Sequence, residues 1–157
     1  HLFACGIDYR VNPPFGTQDD VSALIEAVCD GTIDILASDH APHSAEDKVK
    51  GSPGLANLES AFGMYLKVFY DNGISLNRFT EMSAYNPRRL LGLPGGIIAP
   101  GAPADLIVAD VEEVYTLDTA GWRSKSRNTP FEGASLRGRV LKTFVNGVVR
   151  YDYGQAL

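Results

Sequence analysis

The spacing of apolar positions changes near residue 94. Before it, Val21, Leu24, Ile25 and Val28 recur at i, i+3, i+4 and i+7, one face of a helix. Thr17 followed by Asp20 has the form of a capping box at its start, and Gly31 supplies its stop. The β-branched run at residues 32–37 predicts a buried strand. With residues 2–11 as an earlier short strand ended by Asn12-Pro13-Pro14, the order is strand, helix, strand, an α/β pattern. Residues 38–53 are polar, include Glu46-Asp47-Lys48, and predict a long loop at the carboxyl end of the second strand.

A second helix is predicted from Leu55, Leu58, Phe62, Tyr65, Leu66 and Phe69, closing at Gly73. Ser75 can cap a third through Leu76, Phe79 and Met82, and Asn86-Pro87 opens a short helical turn ending at Gly92. Beyond Pro94, strand-like runs fall at residues 105–111, 113–117, 139–145 and 148–153. Asn146-Gly147 between the last two is a strong hairpin signal. A boundary therefore falls at residues 93–96, with α/β sequence before it and a small β element after.

Composition narrows the function classes. Fourteen basic against 19 acidic residues give a net charge of −5, the wrong sign for a nucleic-acid footprint. No apolar run approaches the roughly 18 residues of a membrane span. Cys5 and Cys29 make no disulfide framework; they read as packing residues in a reducing, cytoplasmic setting. The chain opens on His1 in ordinary domain sequence, a first hint of a longer protein.

The candidate chemistry sits at Ser38-Asp39-His40-Ala41-Pro42-His43. A carboxylate and two imidazoles leaving a strand for a long loop suit metal binding or proton transfer. Asp39 is the best anchored of them. Spacing alone leaves the plainer alternative open, with Asp39 capping a turn and His40 and His43 on a surface loop. The remaining histidine is His1, so the chain supplies too few ligands for a closed metal centre. Asn12 could bind a carboxylate or imide, or merely close its own turn. Pro53-Gly54 could bring backbone against a ligand, or merely lead into a helix. Arg123, Lys125 and Arg127 read as a solvated loop.

Asp39-His40-Ala41-Pro42-His43 resembles the dihydroorotases of the amidohydrolase superfamily. So do Val11-Asn12-Pro13-Pro14, Asp30-Gly31-Thr32-Ile33-Asp34, Pro53-Gly54 with Leu58-Glu59, Asn86-Pro87, and Ser126 with Asn128-Thr129-Pro130-Phe131-Glu132-Gly133, in the family's order. The chain departs at Phe15-Gly16, where the family usually has Leu-Arg, and at Asn57, where it usually has Gly.

The resemblance implies an α/β fold: residues 1–94 as the last part of a metal-dependent (β/α)8 barrel, and residues 95–157 as strands of a small β-sandwich. It implies interconversion of N-carbamoyl-aspartate and dihydroorotate in pyrimidine biosynthesis, with two Zn2+ ions per site. Asp39 would be a zinc ligand and the general base and acid; Asn12, His43, Pro53 and Gly54 would bind substrate. The family's other metal ligands belong to an N-terminal part that this chain does not contain. The 157 residues alone are thus expected to be inactive and, with barrel faces uncovered, to associate. Association with further copies or with an aspartate transcarbamoylase stays open. The alternatives are a hydantoinase- or allantoinase-type cyclic amidase, and a non-catalytic scaffold that binds an enzyme.

Overall fold

A computed structural model of the chain describes residues 10–154. Helix α1 (Gln18–Asp30) has the full capping box, with the Thr17 hydroxyl and Asp20 carboxylate each serving the other's backbone N–H, and Gly31 ends it at φ 90°. Helix α2 (Ala45–Val49) follows, then α3 (Ala61–Asp71), α4 (Leu76–Thr80), a π-helical turn (Glu81–Tyr85) and α5 (Asn86–Leu90). Ser75 caps α4, as its position suggests. The stretch predicted as one loop thus contains a helix, α2, built from the charged cluster itself.

The strand expected at residues 32–37 belongs to no ladder among the described residues, and it is not buried: Thr32 and Ala37 are exposed and residues 33–36 half-buried. Its groups bond to helices: Leu36 N–H donates to the Met82 carbonyl (3.0 Å) and Tyr65 Oη donates to the Ala37 carbonyl (2.6 Å). A parallel ladder needs a neighbouring strand, and among the described residues only Leu55 draws alongside, in a single bridge to His40. The earlier strand expected at residues 2–11 lies almost wholly outside the described residues, as do His1 and Cys5. Cys29 is exposed at the end of α1, not packed.

Strands β1 (Leu106–Thr116), β2 (Ser135–Val145) and β3 (Val148–Asp152) form an antiparallel sheet in that order. The two runs read as separate strands at residues 105–111 and 113–117 are one. A register shift between Asp110 and Val114 separates them, and Asp110 Oδ1 accepts the Glu112 and Glu113 N–H groups there (2.9 and 3.1 Å). Asn146 and Gly147 both have positive φ, 50° and 76°, and turn the chain between Val145 and Val148.

The core joins Val28 of α1, Leu66 and Phe69 of α3, Phe79 of α4 and Met82, with Val111 of the sheet packed against it. Phe79 meets both Phe62 and Phe69 edge-on, at centroid distances of 5.5 and 5.4 Å. Helix α3 lies close on β2 because Gly138, at φ 86°, leaves room for Leu66: a Cβ there would stand 2.2 Å from Leu66 Cδ2. The predicted apolar face of α1 is only half used. Val28 is buried, while Val21 and Leu24 are 46% and 54% exposed. Leu90, Leu91, Leu93, Ile97 and Ile98 are exposed as well.

Candidate active site

The extended segment ends at Asp39, a non-glycine residue in the left-handed region (φ 45°) with an exposed side chain. Such a conformation costs about 1–3 kcal/mol and persists where neighbours over-determine it. They do so on both sides. Asn57 Nδ2 donates to the Ser38 carbonyl (2.6 Å), and His40 Nδ1 accepts the backbone N–H groups of Asn57 and Leu58 (3.1 Å each). Ala41 N–H donates to the Leu55 carbonyl (2.9 Å). His40 is therefore neutral at Nδ1, carries its proton on Nε2, and works as an acceptor for the turn leading into α3. His40 is half-buried, and its Nδ1 is taken up by these two backbone bonds. Asn57, where the sequence departs from the family pattern, bonds through both its backbone and its side chain.

Tyr65 shares this corner. Burial raises its hydroxyl above the ordinary tyrosine range, and the negative charge of Asp39 adds to the rise.

His43 turns back toward the end of the loop. Its Nε2 lies 2.9 Å from the Pro53 carbonyl oxygen, so Nε2 carries a proton and donates it there. Gly54 (φ 141°) lies under this contact; a Cβ there would stand 2.4 Å from the Ala41 carbonyl oxygen and 3.0 Å from His43 Cδ2. Gly54 is thus required where two backbones meet. Its N–H donates to the Arg10 carbonyl (2.9 Å), two residues before the exposed Asn12. Asp39, His43, Pro53 and Gly54 fall in one loop system, and Asn12 reaches it through that Arg10 bond.

Three contributors were not singled out from sequence. Lys48, from the charged cluster, is buried, and its ammonium donates to the Ser52, Gly54 and Arg10 carbonyls (2.7, 2.8 and 3.2 Å). Glu59 accepts the backbone N–H groups of Arg123 and Ser124 (2.9 Å each), and Asn128 accepts the Ala56 N–H (3.0 Å). The loop before β2 is thereby drawn onto the site. Glu59 and Asn128 lie in stretches that carried the family resemblance, whereas Lys48 had no signal beyond its charge. Arg123, Lys125 and Arg127 are exposed, as expected of a solvated loop.

Among the described residues no three His, Cys, Asp or Glu side chains converge to hold a metal. The Asp39 carboxylate suits one position in a coordination sphere, but these residues do not complete one.

A model of the amidohydrolase family matches residues 15–150. The chain is 45% identical to a dihydroorotase from Clostridium botulinum, over 92% of this chain and 36% of the relative. It is 39% identical to one from Bacillus caldolyticus, over 99% and 39%. Of solved structures, an L-hydantoinase from Arthrobacter aurescens superposes with a TM-score of 0.86 at 31% identity, covering 94% of this chain and 35% of that one. A D-hydantoinase from a Thermus species gives 0.89 at 26%, covering 96% and 35%. The chain spans little more than a third of the length of these relatives. Sequence and fold agree over nearly all of it, and the chain belongs to the amidohydrolase family.

Proposed function

We propose that this chain is the carboxyl-terminal portion of a dihydroorotase, a cyclic amidohydrolase that interconverts N-carbamoyl-L-aspartate and dihydroorotate in the cytoplasm. The observation that carries the reading is the 45% identity to a curated dihydroorotase across 92% of the chain. Residues 1–94 then form the last part of a (β/α)8 barrel and residues 95–157 strands of a small β-sandwich. The rest of the enzyme covers the exposed face of α1 and lies beside the unpaired segment ending at Asp39. Among the described residues no helix is long and apolar enough to cross a membrane.

Asp39 is the general base and acid of this reading, holding and returning the proton that the ring nitrogen gains or loses. Its support is geometric, since Ser38, His40 and Ala41 are each tied down around it. His43 Nδ1 accepts from an N–H of the ring and the Asn12 amide donates to the substrate carboxylate, and the Pro53-Gly54 backbone lies against them. Asp39 would also be one ligand of a zinc pair, whose other ligands the rest of the enzyme would supply. Bound zinc would lower the pKa of water and polarise the amide carbonyl.

A hydantoinase-type amidase is the second reading, favoured by the superpositions, although at 31% and 26% identity. The whole enzyme, assayed on dihydroorotate and on hydantoin, separates the two; turnover of neither points to a non-catalytic scaffold. Asp39→Ala in that enzyme is expected to lower kcat by about 10²–10⁴. Retention of more than about a tenth of the rate would remove Asp39 from proton transfer.

A further inference from the structure

Helix α2 has five residues, and Lys48 is the buried one. The apolar Val49 is 72% exposed, whereas Lys48 is 2% exposed. Withdrawing an ammonium from water is costly unless its N–H groups find acceptors, and a methionine of similar length would fill the space without that cost. The cationic residue is therefore accounted for by what it binds. It donates to the Ser52 and Gly54 carbonyls at the end of its own loop and to the Arg10 carbonyl, 38 residues away in sequence. Each of these carbonyls lies within two residues of Asn12, Pro53 or Gly54. The Gly54 N–H to Arg10 bond closes the same ring of contacts.

We propose that Lys48 is a positioning residue for substrate binding. Its ammonium holds the Arg10–Asn12 segment and the Pro53-Gly54 backbone in register with His43. Asp39 is held mainly by other bonds, from Asn57, Tyr65 and the turn that His40 caps, with only the Ala41 N–H to Leu55 bond next to Gly54. Lys48 thus acts on the binding edge and leaves the proton-transfer group in place. The inference rests on the reading above, in which that edge binds the cyclic amide.

The test uses the whole enzyme that carries this chain, first assayed unaltered on dihydroorotate and hydantoin, so that a failure of the function reading shows itself separately. Lys48→Met is then expected to raise KM at least about tenfold, with kcat within about threefold and bound metal unchanged. Lys48→Gln, which keeps two N–H donors, gives a smaller rise. Ser44→Ala removes the cap of α2 (Ser44 Oγ accepts the Asp47 N–H) and raises KM modestly in the same direction. Amide exchange at Gly54 quickens in each variant. If Lys48→Met does not fold, Lys48→Gln and Ser44→Ala give the readout. Unchanged KM, a fall in kcat without a rise in KM, or failure of all three variants to fold overturns the proposal. Should the unaltered enzyme turn over neither substrate, Gly54 exchange decides: faster exchange in Lys48→Gln supports the tie, and unchanged exchange overturns it.

Discussion

His43 Nε2 stands 2.9 Å from the carbonyl oxygen of Pro53, and that one contact fixes which nitrogen of the ring is left for a ligand. A carbonyl only accepts, so Nε2 carries a proton and Nδ1 is the nitrogen left over. The loop closes on itself through the imidazole while Nδ1 stays available.

In the whole enzyme His43→Gln keeps a donor near the Pro53 carbonyl and loses the second ring nitrogen. A hydrogen bond between neutral groups is worth about 0.5–1.5 kcal/mol, so KM is expected to rise by about two- to thirteenfold. His43→Ala also releases Pro53 and should raise KM further. Equal KM values for parent and His43→Gln would show that Nδ1 does not meet the substrate.

How much of this was legible follows from where the bonding partners lie. The helix caps and the hairpin turn were, because Thr17 with Asp20 and Ser75 with Arg78 bond within three residues, and Asn146-Gly147 turn the chain through their own positive φ. The candidate loop was also visible, since Asp39, His43, Pro53 and Gly54 sit within 16 positions of one another. What stayed hidden depends on distant contacts. Residues 32–37 have a strand's composition, but ladder membership needs a neighbour, and the described residues supply only the Leu55 bridge. Lys48 sat in a charged cluster of the kind that usually faces water. Its burial follows from the Arg10, Ser52 and Gly54 carbonyls, which no local pattern announces.

The two faces of the helical layer predict opposite responses. Phe79 lies between Phe62 and Phe69, so Phe79→Ala should cost about 3–5 kcal/mol in the chain alone, read as a lowered urea midpoint. Val21→Ala, at a position 46% exposed, should stay within about 0.5 kcal/mol there. In the whole enzyme the second result changes if the face of α1 is covered. Val21→Ala then destabilises by about 1 kcal/mol or more. A neutral Val21→Ala in both contexts would mean that nothing packs on that face.

Asp105 joins the segment before β1 to the β2–β3 turn and to α5. Its Oδ1 accepts the Asn146 N–H (2.8 Å), and Arg88 Nη2 donates to its Oδ2 (3.1 Å). The Asn146 bond is the main reason its carboxyl is held below the usual aspartate range; burial opposes, and the Arg88 bond and charge add to the lowering. A carboxyl whose pKa is lower folded than unfolded binds fewer protons folded. Its contribution is complete above the unfolded value of about 3.8 and fades as pH falls through the folded one. Asp105→Asn keeps an oxygen for Asn146 and removes the charge. The parent is therefore expected to melt above the variant at pH 6–7, with the gap in Tm closing as pH drops below about 4. Thermal melts of both proteins from pH 7 to pH 3 check this. A gap that stays constant over that range would assign the effect to lost packing, and no gap at pH 7 would mean that the pair with Arg88 is spent in solvent.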